Sequence, residues 1–277
     1  MNEATAAVPA PQAGAANAAL TGSAVFWWLM ALLGQWAFLY YIAAFYGPTV
    51  LSGDYVSWNR GKAGMFFKGY IPGDTAGNLA FLAHAMLAAY VAFGGALQLV
   101  PQIRAYAPSF HRGNGRVFLT TALGLSLTGL YMVWVRGASQ SLLHSEIISA
   151  NAALIVVFAG LAWRSALRRD FDSHRRWALR TYMVANGQWF FRVGLFAWVV
   201  VSAAVAGKPR HVGRFLFYWD FGSYLVPLAV MEIYLRVKQS AGPHGRYVVA
   251  GALVLLTVLM AAGTVTFSIF TWKQFLS

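Results

Sequence analysis

Long apolar stretches alternate with short polar segments along most of the chain. Several of these stretches are long enough to cross a hydrocarbon core as helices, which takes about 20 residues, and they lack the every-second-residue alternation of a barrel strand. The pattern predicts an all-α fold, a polytopic membrane helical bundle with about seven transmembrane helices. The predicted spans are 24–46, 77–100, 117–135, 145–163, 178–206, 221–235 and 247–271.

The remaining residues divide into a short tail and one transmembrane domain. Residues 1–23 are Ala-rich and contain no Lys or Arg, so they lack the basic start of a secretory signal and are predicted to be a disordered tail. Residues 24–277 form a single transmembrane helical domain. Its predicted core is a four-helix unit, helices two to five, over residues 77–206.

Composition supports a membrane environment and limits the chemistry. Hydrophobic residues make up 59% of the chain and charged residues 10%, and the mean hydropathy is +0.56, values that are unusual for a soluble domain. The chain has no Cys, which excludes disulfides, thiolate zinc sites, iron–sulfur clusters and covalently attached c-type haem. A bound metal would therefore need His, carboxylate or Met ligands.

The net charge of +13 is explained by topology rather than by nucleic acid. Lys and Arg cluster in short loops between the apolar stretches, where they orient the helices and contact lipid headgroups. Their excess on one side predicts a multi-pass membrane protein with a cytoplasmic N-terminus and an external C-terminus. Segment 47–76 is then an external loop, either a cover over a site or a plain connector. Its aromatic residues are expected to lie on the membrane surface: Trp58, Phe66, Phe67 and Tyr70.

Four of the six histidines lie near the ends of predicted helices two to five, one on each helix. His84 and His144 are expected near the outer level, with His84 about 10 Å into its span at a rise of ~1.5 Å per residue. His111 and His174 are expected at the inner face. There, Pro108-Ser109 and Asp172-Ser173 are typical of the first residues of a helix.

This spacing suits a pair of b-type haems. Bis-imidazole ligation needs His from two facing helices at equal depth, and such sites are built in bundle cores. We therefore expect His84 and His144 to bind an outer haem iron, and His111 and His174 an inner one, giving a path for electrons across the membrane. The alternative is a single haem, bound by the outer pair alone.

Arginines accompany these histidines and are candidate partners for haem propionates. The inner candidates are Arg112, Arg116, Arg175 and Arg180. Arg192 is the outer candidate, and because an unpaired Arg inside a membrane is costly, we expect it to pair with Glu146 or a propionate. Elsewhere, Glu232 is expected to pair with Arg236 four residues later, and Asp220 has the position of a first-turn acid of its helix.

Two resemblances bear on this layout. Alternating ligand histidines on four consecutive helices are similar to the plan of the ascorbate-reducible transmembrane dihaem cytochromes b, over residues 77 to about 200. A second set of motifs comprises His84 in an apolar helix, Gln98-x-x-x-x-x-Arg104, Pro108-x-x-His111-Arg112-x-x-Gly115-Arg116, His174-x-x-Trp177-x-x-Arg180 and Arg192. In these motifs the sequence resembles a bacterial membrane family, domain of unknown function 2306, which implies a place in the bacterial cytoplasmic (inner) membrane but no activity.

The leading prediction is thus a haem b membrane electron-transfer protein, an oxidoreductase whose donor and acceptor stay open between a quinone and a protein. Two other classes also stay open. One is a cofactor-free transporter or assembly factor in which His84, Glu146 and Arg192 relay protons or hold a small anion. The other is a structural partner of a larger membrane complex. The bilayer is the expected partner in each case, nucleic acid is not expected, and a homodimer stays open.

Overall fold

A computed structural model of the protein describes residues 10–59, 69–139 and 141–276. Within these ranges the chain is helical and contains no strand. A 3-10 helix, Tyr55–Asn59, follows the first of nine α-helices. The helices are α1 Ala10–Ser52, α2 Thr75–Gln98, α3 Pro101–Tyr106, α4 Pro108–Trp134, α5 Leu142–Leu167, α6 Phe171–Ala185, α7 Gly187–Ala206, α8 Val212–Ser240 and α9 Pro243–Leu276.

The predicted polytopic helical bundle is confirmed. Among the described residues, six helices are long and apolar enough to cross a membrane: α1, α2, α4, α5, α7 and α9. Helix α8 contains the predicted span 221–235 but also five charged residues, which lower its hydropathy below that of the other six. It nevertheless packs against α5, α6, α7 and α9, and so completes the bundle as a seventh long helix.

The predicted span 178–206 is two helices rather than one, α6 and α7, which meet at Asn186. The Asn186 side-chain amide donates to the carbonyl of Tyr182 at 2.8 Å, and such local bonds compete with the helical ladder. Next to it, a Cβ on Gly187 would lie 3.1 Å from Cβ of Tyr224 and 3.2 Å from Nδ2 of Asn151. The break thus brings the backbone close to both α8 and α5.

The predicted disordered tail is corrected in part, because α1 begins at Ala10. Ala is the strongest helix former, and Ala16 and Leu20 are 0% and 1% exposed, so this segment is both helical and packed. Residues 1–9 lie outside the described part of the chain. The hydrophobic core is also wider than 77–206, since it includes Phe38 of α1 and Met260 of α9.

In the described parts of the segment after α1, residues 53–59 and 69–74, Trp58 packs into the bundle instead of lying on the membrane surface as predicted. Trp58 is only 4% exposed, and its indole donates to the Thr49 hydroxyl at 2.8 Å. Arg136, at the end of α4, donates to the carboxylate of Asp74 at 3.0 Å and to Oδ1 of Asn78 at 2.7 Å. These bonds hold the segment against α2 and α4. Phe66 and Phe67 lie outside the described residues.

Consecutive long helices run in opposite directions, so their connections gather at two ends of the bundle. We call face A the end that holds the α1–α2, α4–α5 and α7–α8 connections, and face B the end that holds the α2–α4, α5–α6 and α8–α9 connections. Face A corresponds to the predicted outer side. His84 lies nine residues into α2 from face A, or about 14 Å along the helix.

Candidate functional site

A cavity of about 90 Å³ with a mixed polar and apolar lining lies toward face A, where α2, α4, α5 and α8 surround the break between α6 and α7. We call it the outer cavity. His84 and His144 both line it, so the structure brings the predicted outer pair of histidines together. Its other polar lining residues are Ser126, Asn151, Asn186, Gln188, Asp220, Ser223 and Tyr224.

The hydrogen bonds of His84 fix which ring nitrogen is free. Its Nδ1 lies 3.0 Å from Oγ1 of Thr128. The Thr128 hydroxyl itself donates to the carbonyl of Gly124 at 2.8 Å, so its oxygen accepts and Nδ1 of His84 carries the hydrogen. Nε2 is then the unprotonated nitrogen. The ring packs against Gly129, where a Cβ would lie 3.3 Å from Cε1 of His84.

His144 is oriented in a similar way by an acid from α8. Its Nδ1 lies 3.1 Å from Oδ2 of Asp220, and their side chains are 26% and 20% exposed. A carboxylate at Nδ1 holds an imidazole in one orientation and leaves Nε2 available. The sequence prediction gave Asp220 only a helix-dipole role. Nothing in the sequence points to its pairing with His144, because the two residues are 76 positions apart.

Two further atoms of the outer cavity lack partners. Oδ1 of Asn151 and Nε1 of Trp189 are buried and make no hydrogen bond within the described structure. One is an acceptor and the other is a donor, and both residues line the cavity. Buried polar atoms usually have partners, often ordered water. The cavity therefore offers water both a donor and an acceptor.

A much larger groove, about 1710 Å³, is lined by residues from face B, such as Arg104, to residues near the α7–α8 connection at face A, such as Trp198 and Phe215. We call it the inner cavity, after the histidines at its face B end. His111, in the first turn of α4, and His174, in the first turn of α6, both line it. The structure thus also brings the predicted inner pair together. Its wall includes aromatic and apolar residues from several helices, among them Trp27, Trp28, Phe118, Leu119 and Trp163.

Local bonds position the two inner histidines. Nδ1 of His174 lies 2.9 Å from the carbonyl oxygen of Ala162, so this nitrogen carries the hydrogen and Nε2 is free. His111 lies within electrostatic range of His174, and its Nδ1 is buried without a partner in the described structure. Helix α4 begins with Pro108, whose fixed φ suits a first helical position.

The cap of α6 differs from the prediction, which placed it at Asp172-Ser173. Asp170 is the N-cap, and its carboxylate accepts from the backbone N–H of Ser173 at 3.1 Å. Hydrogen bonds from the Ser173 side chain and backbone lower the pKa of the Asp170 carboxyl. This cap sets the first turn of α6, which carries His174, at the mouth of the inner cavity.

Three of the predicted inner arginines line the inner cavity: Arg112, Arg116 and Arg175. Arg104 lines it as well, although the sequence prediction did not include it among the ligand-binding residues. All four are exposed and lie near the ends of α3, α4 and α6 at face B. The cavity mouth therefore carries a strongly positive charge, which suits an anionic group.

The remaining predicted residues line neither cavity. Nε of Arg180 is 2.6 Å from Oε1 of Glu232, and its Nη2 donates to Oε2 at 3.0 Å. Glu232 thus pairs with Arg180 across helices, which corrects the predicted pair with Arg236. The two-point geometry of a guanidinium on a carboxylate explains the preference.

Arg192 also differs from the expectation. Its Nη1 donates to the carbonyl of Gln188 at 2.7 Å, and its guanidinium lies 5.2 Å from the ring centre of Phe38. No carboxylate in the described ranges forms an ion pair with it. Glu146, its expected partner, is exposed. The predicted cluster of His84, Glu146 and Arg192 is therefore not assembled, although Arg192 lies within electrostatic range of His84.

The fold and these two cavities define a polytopic helical membrane protein with a pair of histidines toward each end of its bundle. The model of the family described as predicted membrane protein, domain of unknown function 2306, matches residues 81–235. This is more than half of the chain, so the protein belongs to this family. The matched region contains both histidine pairs and Asp220. No curated protein sequence and no solved structure matches the chain.

Proposed function

We propose that the protein is a haem b-binding membrane electron-transfer protein, with its haem in the inner cavity and His111 and His174 as axial ligands. One observation carries the proposal. Two imidazoles from different helices share a single large cavity with four arginines at the same end of the bundle. Few ligands other than haem require a binding site that combines paired imidazoles, an apolar wall and cations.

The inner cavity passes a fit test for a porphyrin. Pockets for compact organic ligands measure about 300–1,000 Å³. The whole inner cavity, about 1710 Å³, is larger than this because it extends from face B toward Trp198 and Phe215, so a porphyrin would occupy only its face B part. The Nδ1 atom of His174 is held by a backbone carbonyl, the usual arrangement for an imidazole that binds metal through Nε2.

Arginines at the cavity mouth would hold the propionates. Arg104, Arg112, Arg116 and Arg175 are exposed side chains around the opening, and guanidinium groups bind carboxylates in a two-point geometry. Haem supplies one-electron redox chemistry when it is bound. The protein's own residues ligate and orient it, neutralise its carboxylates and exclude water from its apolar body.

The outer cavity does not pass the same test. His84 and His144 share about 90 Å³, which is far below the space of an organic cofactor pocket. We therefore propose one haem for each chain. We also propose that face B is cytoplasmic and that the membrane is the bacterial inner membrane, because arginines concentrate at face B. The electron donor and acceptor are a quinone or a protein.

Absorption spectroscopy tests this proposal directly. The full chain purified from haem-sufficient cells should show a Soret band, α-bands that sharpen after dithionite, and one haem b for each chain in the pyridine haemochrome assay. His111→Ala and His174→Ala should each remove the haem. His84→Ala, on the other histidine pair, is the matched control and should keep it.

Folding must be measured alongside absorption. Size-exclusion chromatography and circular dichroism should show that all three variants keep the helical fold. A well-folded, colourless wild-type protein would refute the proposal. Loss of haem in His84→Ala, with retention in His111→Ala, would show that the ligand assignment is wrong.

A further inference from the structure

We propose that the outer cavity is a water-filled proton relay that connects face A with the buried imidazole of His84. The proposal rests on the contacts of the outer cavity alone. It does not depend on haem in the inner cavity, so either proposal can fail while the other stands. In this proposal the outer cavity binds water, and water carries the proton.

The size and lining of the cavity suit water. One buried water needs about 10–15 Å³ of such space, so a cavity of about 90 Å³ holds several molecules. Oδ1 of Asn151 and Nε1 of Trp189 are the buried acceptor and donor without partners. The hydroxyls of Ser126 and Ser223 and the amides of Asn186 and Gln188 also line the cavity and can donate to and accept from that water.

His144 and Asp220 form the entrance. They lie near the starts of α5 and α8 at face A, and their side chains are 26% and 20% exposed. The pair thus reaches the surface of the bundle while both residues also line the cavity. The carboxylate bonded to Nδ1 holds the His144 ring in one orientation and leaves its Nε2 for cavity water.

His84 is the buried end of the relay. Its Nδ1–H donates to Thr128, so Nε2 is the nitrogen that can accept a proton from cavity water. The proton moves from the His144–Asp220 pair to water and then to Nε2, with no other bond changed. The other titratable or charged groups around this ring are Tyr224 in the cavity lining and Arg192 within electrostatic range.

The natural absence of Cys allows a clean test of hydration. Ser126→Cys places one thiol in the outer cavity, and Ala122→Cys places one a helical turn earlier on α4. Ala122 is 0% exposed and lines neither cavity, so it is a matched dry control. Thiols react as thiolates, which need water.

Silver ion, a small thiol reagent, is the probe in proteoliposomes. Ser126→Cys should react at least about tenfold faster than Ala122→Cys, because only the first thiol meets water that can ionise it. Equal and slow reaction of the two would mean a dry cavity and would overturn the proposal. If Ser126→Cys does not fold, Ser223→Cys on α8, which lines the same cavity, replaces it.

Hydrogen exchange of the imidazole tests proton movement. In ¹⁵N-histidine spectra of the full chain in nanodiscs, the His84 signal is identified by its absence in His84→Gln. The ring N–H of His84 should exchange with D₂O, and Asp220→Asn should slow this exchange about tenfold by weakening the entrance pair. Glu146→Gln, which removes an exposed acid outside the cavity, should leave the rate unchanged. An exchange rate that is the same in Asp220→Asn and wild type would overturn the relay.

Discussion

The closest approach of α7 and α9 gives a prediction that depends only on backbone geometry. A Cβ on Gly263 would overlap the carbonyl oxygen of Val193 and would also lie 3.1 Å from the backbone N of Ala197. These are backbone atoms, so no side-chain rotation can relieve the overlap, and Gly263→Ala must push the two helices apart. Small residues permit such close packing in membrane bundles.

The magnitude follows from two opposing terms. Overpacking a tight site costs about 1–3 kcal/mol, whereas Gly→Ala in a helix gains up to about 1 kcal/mol from backbone propensity. Gly251, on the same helix, has no atom within 4 Å of a built Cβ. Gly251→Ala therefore gains the propensity term without the packing cost. The difference in stability between the two variants isolates the packing cost, about 1–3 kcal/mol.

The assay is unfolding of both variants in parallel, by SDS titration in mixed micelles followed by circular dichroism. Gly263→Ala should unfold at lower SDS than wild type, and Gly251→Ala at an equal or higher fraction. Val193 and Met260 both line the inner cavity, so separation of α7 from α9 should also weaken haem retention on heating. Equal stability of the two variants would refute the close α7–α9 contact.

Two further predictions concern charged residues. Glu232→Gln should destabilise the fold by about 1–3 kcal/mol because it weakens the pair with Arg180. Arg236→Gln, at an exposed residue, should have little effect in the same unfolding assay. A larger loss of stability in Arg236→Gln than in Glu232→Gln would favour the intrahelical pair instead. The double variant Arg112→Gln/Arg175→Gln should keep the proposed haem but lower its midpoint potential, because cations near haem favour the reduced state. Redox titration measures this potential. The control is Arg168→Gln, at an exposed face B residue outside both cavities, and it should leave the potential unchanged.

Most of the fold follows from hydropathy alone, and the errors have local causes. Span 178–206 is continuous in hydropathy, but Asn186 and Gly187 interrupt it because a side-chain amide competes for the backbone and a neighbouring helix approaches closely. The Ala-rich N-terminus has the low complexity of a tail. Its helix is explained by Ala propensity together with packing on α9, and the second of these is visible only in three dimensions.

The candidate site is predictable where it depends on helix order and unpredictable where it depends on helix rotation. Alternating helices at similar register are enough to pair His84 with His144 and His111 with His174. The acid beside the outer histidines is Asp220 and not Glu146. Predicting this requires knowing which faces of α5 and α8 point into the bundle. Helix rotation also decides that Arg180 meets Glu232 instead of the inner cavity.

The two histidine pairs differ in what surrounds them, and this difference separates their proposed chemistry. The inner pair shares about 1710 Å³ with four arginines, a setting that attracts a large anionic ligand. The outer pair shares about 90 Å³ with an aspartate bonded to one ring, a setting that orients that ring and admits only small molecules such as water. Equivalent positions of histidine on successive helices therefore need not imply equivalent roles. Cavity volume and the sign of the neighbouring charge are the grounds on which we propose an electron carrier at face B and a proton path at face A.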